Sequence, residues 1–173
     1  MSIRQAFIMS EYVGTVSVFN GPDPDIKLHA DTAKEIQAIS LAIHEAVDEG
    51  MAPEEIGVFV RSADELSRAR KAVNEAGQTP LELSDRVEDR TGRIAIGTMH
   101  LAKGLEFRHV IVMACDEDIL PDQDRIDTVA DEVELDEVYD TERHLFYVAC
   151  TRAREKLLVS GVKPESEFIA DLG

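Results

Sequence analysis

The sequence predicts an α/β fold in which helices flank a mainly parallel β-sheet. Short apolar segments typical of buried strands alternate with longer segments in which apolar residues recur at helical spacing. Ile56–Val60 is continuously apolar, as expected of a central parallel strand. With 173 residues, of which 44% are hydrophobic, the chain is long enough to bury one core.

The first strand and the first helix are indicated by turn-forming residues at their ends and by the spacing of apolar residues. Residues 16–19 are predicted to form a short strand that ends in a turn. Asp31 or Thr32 can cap a helix that runs toward Glu49 and ends at Gly50. The inward face of this helix holds Ile36, Ile39, Ile43 and Val47.

The remaining predicted elements continue the alternation of strands and helices. After the central strand, Ser62 and Glu65 are spaced as a capping box for a helix that stops at Gly77. A third helix is predicted over residues 141–154. Further strands are predicted at residues 80–83, 94–98, 110–114 and 157–160.

The domain organisation is simple. We expect one folded domain over residues 15–165, without internal repeats. Residues 1–14 and 166–173 are predicted to be a flexible amino-terminal segment and a carboxy-terminal tail. Within the domain, residues 116–140 are predicted to form an acidic loop.

The charge limits the partners that the chain can bind by itself. Its net charge is −17, which disfavours a self-sufficient nucleic-acid binder, since such proteins usually present a basic face. Residues 122–142 hold ten acidic residues and one arginine, and a solvated loop explains this composition. The segment lacks the spacing and the glycine of a calcium-binding loop, so we predict no metal site there.

No segment resembles a membrane span or a secretory signal. No apolar run approaches the roughly 20 residues that cross a bilayer. Cys115 and Cys150 are far apart and lie outside any Cys/His cluster. We therefore expect two reduced core thiols in a cytoplasmic protein.

The chain lacks the phosphate-binding loop of a complete nucleotide hydrolase. No GxxxxGK[ST] segment is present, and Lys103-Gly104 has the wrong order and no partner glycine. Residues 110–118 look like a strand that ends in magnesium-binding acids. Without a phosphate loop upstream, we interpret these acids as the start of a loop instead.

Two longer strings carry the functional signal. Residues 98–107 read TMHLAKGLEF, and residues 142–154 read ERHLFYVACTRAR. In this order they resemble motifs V and VI of the UvrD/Rep family of superfamily 1 DNA helicases. The resemblance implies a RecA-like, P-loop NTPase-like fold and the second of two RecA-like domains. The first domain would carry the phosphate loop and most of the site for ATP and Mg²⁺.

The resemblance implies nucleotide contacts for four residues. Arg152 matches the motif VI arginine that reaches the γ-phosphate as an arginine finger, where a planar guanidinium can pair with two phosphoryl oxygens. Arg61 matches the motif IV arginine, which also points at phosphates. Glu106 and Gly104 match the nucleotide side of motif V.

The resemblance also implies contacts to DNA. Thr98 and His100 match positions that touch the backbone of single-stranded DNA, and Lys103 can meet a phosphate. The implied partner is single-stranded DNA or a single-strand/double-strand junction, and the implied polarity is 3′-to-5′. Tyr147 matches a position near the nucleotide cleft, whereas Phe146 is expected in the core. Arg154 is expected to be solvated.

The chain departs from the family pattern at two points. The family usually has a tyrosine before the motif IV arginine, where it stacks on adenine, and this chain has Val60. Base recognition is therefore expected to be looser than is usual for the family. Residues 84–93 occupy the place of the large 2B insertion, so that insertion is expected to be absent.

Two alternatives to an active motor domain remain open at this point. A degenerate helicase domain could recruit a protein partner through its acidic face. The chain could also be the helicase part of a RecB-like helicase–nuclease, although no nuclease motif is present. Arg61, Glu106 and Arg152 are all present, which favours the active interpretation.

Overall fold

A six-stranded sheet runs through residues 22–172, the part of the chain that the computed structural model describes. All its neighbouring strands are parallel, and their order is β1-β6-β5-β2-β4-β3. The strands are β1 (Pro24–His29), β2 (Ile56–Val60), β3 (Pro80–Glu82), β4 (Ile94–Thr98), β5 (Phe107–Val112) and β6 (Ala153–Val162). The predicted α/β fold with a mainly parallel sheet is confirmed.

Strand β1 was not predicted. Polar residues such as Asp25 and Lys27 interrupt its apolar pattern, and it pairs only with β6 at the edge of the sheet. The strand predicted at residues 16–19 and the flexible segment at 1–14 lie outside the described residues. Strands β5 and β6 begin three and four residues before the predicted positions, because polar and charged residues after their first residue interrupt the apolar pattern.

Helices cover both faces of the sheet. They are α1 (Thr32–Asp48), α2 (Leu66–Glu75), α3 (Gln123–Asp127), α4 (Glu132–Cys150) and α5 (Glu167–Ala170). Asp31 caps α1 by accepting a 2.8 Å hydrogen bond from the backbone of Lys34, as predicted. The capping box at Ser62 was wrong, because that side chain makes no capping hydrogen bond and a 3₁₀ turn precedes α2.

Two predictions about helix α4 were wrong, one about where it begins and one about where it ends. It begins nine residues before the predicted residue 141, so the second part of the supposed acidic loop is helical. Asp131 caps it, and Glu132 and Glu134 lie in its first turn, where carboxylates interact favourably with the helix dipole. The helix ends at Cys150, so Arg152 and Arg154 lie beyond it and not on it.

The predicted carboxy-terminal tail is part of the packed domain. Phe168 is fully buried, and Ile169 and Leu172 are each 5% exposed. They pack with Phe146 in the core cluster on the α4 side of the sheet. The end of the chain contributes to this core because its apolar residues recur within a short helix.

A second core cluster packs α1 and α2 on the other side of the sheet. Cys115 and Cys150 are buried, and neither forms a disulfide. None of the described helices is long and apolar enough to cross a membrane.

Candidate functional site

The segment between β4 and β5 crosses from one edge of the sheet to the other. Because neighbouring strands are parallel, β4 ends at the carboxyl edge and β5 begins at the amino edge. A 3₁₀ helix, Met99–Ala102, starts this crossing, and both of its end residues are buried. We call residues 98–107 the crossing segment, and its two ends carry different groups.

The carboxyl-edge end presents the residues predicted to contact DNA. Thr98 is the last residue of β4, and its side chain is half-buried. In the 3₁₀ turn that follows, Met99 and Ala102 are buried, whereas His100 and Lys103 are exposed. The structure therefore brings the hydroxyl, the imidazole and the ammonium to one stretch of surface.

The amino-edge end presents the residues predicted to contact the nucleotide. Gly104 has a positive φ of 81°, and no atom lies within 4 Å of the position that a Cβ would occupy. Glu106 is exposed one residue before β5. This turn exposes backbone and one carboxylate at the edge of the sheet, where a ligand can approach closely.

Arg152 lies against this second end. Its backbone carbonyl accepts a 3.0 Å hydrogen bond from the backbone of Phe107, the residue after Glu106. Its Nε donates to the carbonyl of Val148 at 3.1 Å, and its Nη2 donates to the Thr151 hydroxyl at 3.1 Å. The guanidinium thus caps the carboxyl end of α4, where cations are favoured, and stays half-exposed.

Arg61 is found elsewhere, at the carboxyl edge directly after β2. Its guanidinium is 4% exposed and binds the carboxylate of Glu142 through two nitrogens, at 2.6 and 2.5 Å. Burial opposes its charged form, but the hydrogen bonds and charge of Glu142 outweigh this, so the pKa of Arg61 is raised. A bidentate pair of this kind fixes the guanidinium firmly.

Glu142 is shared by a second arginine. Arg125 Nη1 lies 2.7 Å from its Oε1, and the backbone of Asp122 donates to its Oε2 at 3.0 Å. Burial opposes ionisation of the carboxyl, but the bonds from Arg61 and Asp122 outweigh it, so the pKa of Glu142 is lowered. The carboxylate is fully buried and charged, with cations on two sides.

His100 borders this cluster. Burial, followed by the charge of Arg61, lowers the pKa of His100 below its ordinary value. The imidazole is therefore mostly neutral near pH 7 and offers one N–H donor. The structure thus groups Arg61 with His100, at the DNA end of the crossing segment.

Arg61 contacts the middle of α4, whereas Arg152 lies at its carboxyl end. Glu142 and Cys150 are eight residues apart on the helix, which is about 12 Å at 1.5 Å per residue. Arg152 lies two residues farther on. The two arginines that the family resemblance assigns to phosphates therefore contact separate parts of this helix.

A separate buried network explains the acids after β5. Asp116 binds Arg68 through two pairs of atoms, at 2.9 and 3.1 Å. Arg68 also donates to the fully buried Glu35 at 2.6 Å, and Ser160 donates to Glu35 at 2.6 Å. Asp116 thus fastens β5 to α2, as part of the fold. Among the described residues, no group of three or more His, Cys, Asp or Glu is placed to hold a metal ion.

The structure bears on the expectations for three further side chains. Val60 is fully buried against α1 and α2, so it has no surface to offer an adenine. Tyr147 is 4% exposed, and its hydroxyl lies 3.5 Å from a carboxylate oxygen of Asp171, so little of the side chain is open to a ligand. Phe146 is fully buried, which confirms the expected core position.

The buried ion pairs around Arg61 were not predicted from the sequence. Glu142 was noted only as the first residue of the second motif, and Arg125 only as the single cation of an acidic stretch. The pattern of α4 contained a signal, since Glu142 lies one turn before the buried Phe146 and therefore on the inward face. A charged residue on an inward face implies a buried partner.

Comparison with known proteins shows the family of this domain. The family model for the UvrD-like helicase C-terminal domain matches residues 74–163. ATP-dependent DNA helicase UvrD1 of Mycobacterium leprae is 35% identical over 49% of this chain and 11% of its own length. ATP-dependent DNA helicase PcrA of Bacillus subtilis is 35% identical over 53% of this chain and 13% of its own. The chain therefore aligns with only about a tenth of each of these relatives.

One solved structure supports the fold over nearly the whole chain. It is the C-terminal domain of a possible DNA helicase from Lactobacillus plantarum, with a TM-score of 0.64 and 19% sequence identity. The match covers 99% of this chain and 92% of that structure.

Proposed function

Because this chain belongs to the family of UvrD-like helicase C-terminal domains, we propose that it is the second RecA-like domain of an ATP-dependent DNA helicase or translocase. One observation carries the proposal. The crossing segment spans the sheet with candidate DNA contacts at one end and candidate nucleotide contacts at the other, beside Arg152. We assign the motor domain to residues 15–165, and α5 packs against its core on the α4 side of the sheet.

Arg152 is the proposed arginine finger. Its two hydrogen bonds hold the side chain against the end of α4, so little side-chain entropy remains to be lost when it meets a phosphate. The γ-phosphate of ATP gains charge on its oxygens as the bond to the leaving group breaks. A guanidinium stabilises that charge without a proton transfer.

Gly104 and Glu106 are proposed to hold the nucleotide beside Arg152. The open turn at Gly104 lets the backbone approach a ligand, and the carboxylate of Glu106 can accept a hydrogen bond from a ribose hydroxyl. These groups make half of an ATP site. We assign Mg²⁺ and the remaining phosphate contacts mainly to a first RecA-like domain, as the family resemblance implies.

Thr98, His100 and Lys103 are proposed to form part of a single-stranded DNA track. Their donors suit phosphate oxygens, which give binding without sequence readout. Arg61 lies beside His100, and we propose that it reaches a phosphate only when its pair with Glu142 opens. Closure of the two domains on ATP would then shift DNA along this track, with the 3′-to-5′ polarity implied by the family.

The test compares the chain alone with a longer protein that carries both domains. The chain alone is expected to show no magnesium-dependent ATP hydrolysis, and the longer protein is expected to show hydrolysis stimulated by single-stranded DNA. Turnover by the purified chain would overturn the half-site. A longer protein that binds nucleotide and never hydrolyses it would favour the alternative, a domain that recruits protein partners through the exposed acids of α3 and α4.

A further inference from the structure

A groove lies at the amino edge of the sheet, on the side that α1 covers. Residues near the start of three neighbouring strands, β1, β6 and β5, form its floor, and the second half of α1 forms its wall. Its volume is about 340 Å³, within the range of roughly 300–1,000 Å³ found for small-ligand sites. We call this space the amino-edge groove; its lining comes from residues 22–27, 42–49 and 155–158 and from His109.

Small side chains on α1 leave this space open. Ala42 and Ala46 lie about one turn apart on the helix, and both line the groove. Ile39 and Ile43 on the same helix are fully buried and fill the space between helix and sheet in the core. The two alanines leave an apolar strip that is about 6 Å long, at 1.5 Å per residue, and that suits a short hydrocarbon chain.

His109 brings a buried nitrogen to the groove. The residue is 6% exposed, and its Nδ1 has no hydrogen-bond partner among residues 22–172. Burial lowers the pKa of this imidazole to about 4, so it is neutral near pH 7 and keeps one nitrogen lone pair as an acceptor. Buried polar groups are usually hydrogen-bonded, so this nitrogen indicates a contact that a ligand would supply.

The charged residues of the groove are mostly acidic. Five of its lining residues are aspartate or glutamate, and two are lysine. Both lysines already bind carboxylates of the groove, because Lys156 lies 2.9 Å from Glu49 and Lys27 lies 3.7 Å from Asp25. Glu45 is exposed and makes no ion pair within the described part of the chain. A negative charge therefore remains uncompensated at the wall formed by α1.

The end of α1 adds a further preference for cations. The helix runs toward the amino edge and ends at Asp48, and its last turn contains no basic residue. The carboxyl end of a helix carries a partial negative charge that stabilises cations within about one turn. Together with Glu45, this end makes the groove electronegative, which favours a cationic ligand over an anion such as phosphate.

We propose that the amino-edge groove binds a small linear diamine. One ammonium group would donate to Nδ1 of His109, the hydrocarbon chain would pack on the apolar strip, and the other ammonium group would meet Glu45. The lysine pairs with Glu49 and Asp25 show that ammonium groups on aliphatic chains fit the carboxylates of this groove. None of the residues proposed to contact ATP or DNA lines it, so the inference stands apart from the proposed function.

NMR of the full chain titrated with 1,4-diaminobutane tests where the ligand binds. Chemical-shift changes are expected at Ala42, Ala46 and the His109 ring, with a dissociation constant on the order of 0.1–1 mM for a ligand of this size. Butylamine, which lacks the second ammonium group, should bind about threefold or more weakly, and MgCl₂ at equal ionic strength should not compete. Shifts confined to the acidic surface of α3 and α4, or no shifts at all, would overturn the proposal.

Three variants supply the quantitative test. His109→Phe removes a buried acceptor for a charged donor and should weaken binding about tenfold or more. Glu45→Gln removes an exposed charge and should weaken it about threefold, whereas Glu75→Gln, an exposed position on α2 outside the groove, is the matched control. Wild-type affinity in His109→Phe, or equal affinities in Glu45→Gln and Glu75→Gln, would contradict the proposal. If His109→Phe does not fold, the comparison of the two glutamate variants decides.

Discussion

The guanidinium of Arg61 is bound by the carboxylate of Glu142, a residue 81 positions later in the chain. Both side chains are almost completely buried. The pair joins the end of β2 to the middle of α4, and it holds a candidate phosphate-binding arginine beside His100. Stability and the proposed phosphate contact of Arg61 therefore share this pair.

Glu142→Gln should destabilise the domain strongly. The amide keeps the shape of the side chain and loses the charge, which leaves the buried Arg61 with only the carboxylate of Asp122, 3.5 Å away, as a compensating anion. Removal of one partner of a buried pair typically costs about 3–5 kcal/mol. Urea unfolding followed by circular dichroism measures this, with the exposed Glu137→Gln on the same helix as control.

The same pair predicts an acid-dependent loss of stability. The pKa of Glu142 is lower in the folded state than in the unfolded chain, where a glutamate titrates near roughly 4.3. Its contribution is therefore fully present above that value and is lost as the pH falls through the lower folded pKa. Unfolding free energies measured from pH 6 downward should decline less steeply for Glu142→Gln, and equal slopes would argue against this contribution.

His109 predicts a second pH effect, at higher pH. Burial, with a smaller contribution from the charge of Lys156, lowers its pKa to about 4. The unfolded chain binds a proton at this histidine near roughly pH 6.5, whereas the folded domain binds it only near pH 4. Stability therefore falls as the pH drops between these values, by an amount on the order of 3 kcal/mol. Titration of the His109 ring resonance by NMR checks this, and a midpoint near 6.5 would contradict it.

Much of the fold could be predicted because its signals are local. Ile56–Val60 is apolar throughout and forms β2 with the predicted limits, and Asp31 caps α1 as its position before the apolar pattern indicates. Strand β1 escaped prediction because an edge strand needs little apolar sequence. The start of α4 escaped because its first turns are exposed and acidic, without an apolar pattern, although Asp131 caps them.

The site was harder to predict than the fold. The motif strings identified the crossing segment and Arg152, since those positions are close in sequence. The bond between Arg61 and Glu142 joins residues far apart in the chain, and no local pattern reports such pairing. The burial of Val60 also depends on which side of the sheet it faces.

Val60→Tyr should test that burial. Val60 is fully enclosed, so a tyrosine would overpack the core and cost about 1–3 kcal/mol or more. The substitution is therefore expected to lower the melting temperature rather than to create an adenine contact. Val133→Tyr, at a position 70% exposed on α4, is the control for added volume. A stable Val60→Tyr domain with sharper preference for ATP would show that this side chain reaches the nucleotide.

DNA binding by the chain alone should be weak, with a shallow salt dependence. The net charge of −17 and the few exposed cations of the crossing segment leave few counterions to release. Lys103→Ala should reduce the slope of log affinity against log salt by about 0.7, the share of one phosphate on a single strand. Fluorescence titration with oligo-dT measures this, with the exposed Lys71→Ala as control. A steep slope that Lys103→Ala leaves intact would move the DNA contact elsewhere.

The most direct measurement is DNA-stimulated ATP hydrolysis by the two-domain protein carrying Arg152→Ala. We expect ATP binding to be largely retained and kcat to fall by roughly 10³-fold or more, the scale of arginine fingers. Arg154→Ala, which removes an exposed arginine two residues away, should leave kcat near that of the wild type. A kcat for Arg152→Ala within a few-fold of the wild type would contradict its role at the phosphate.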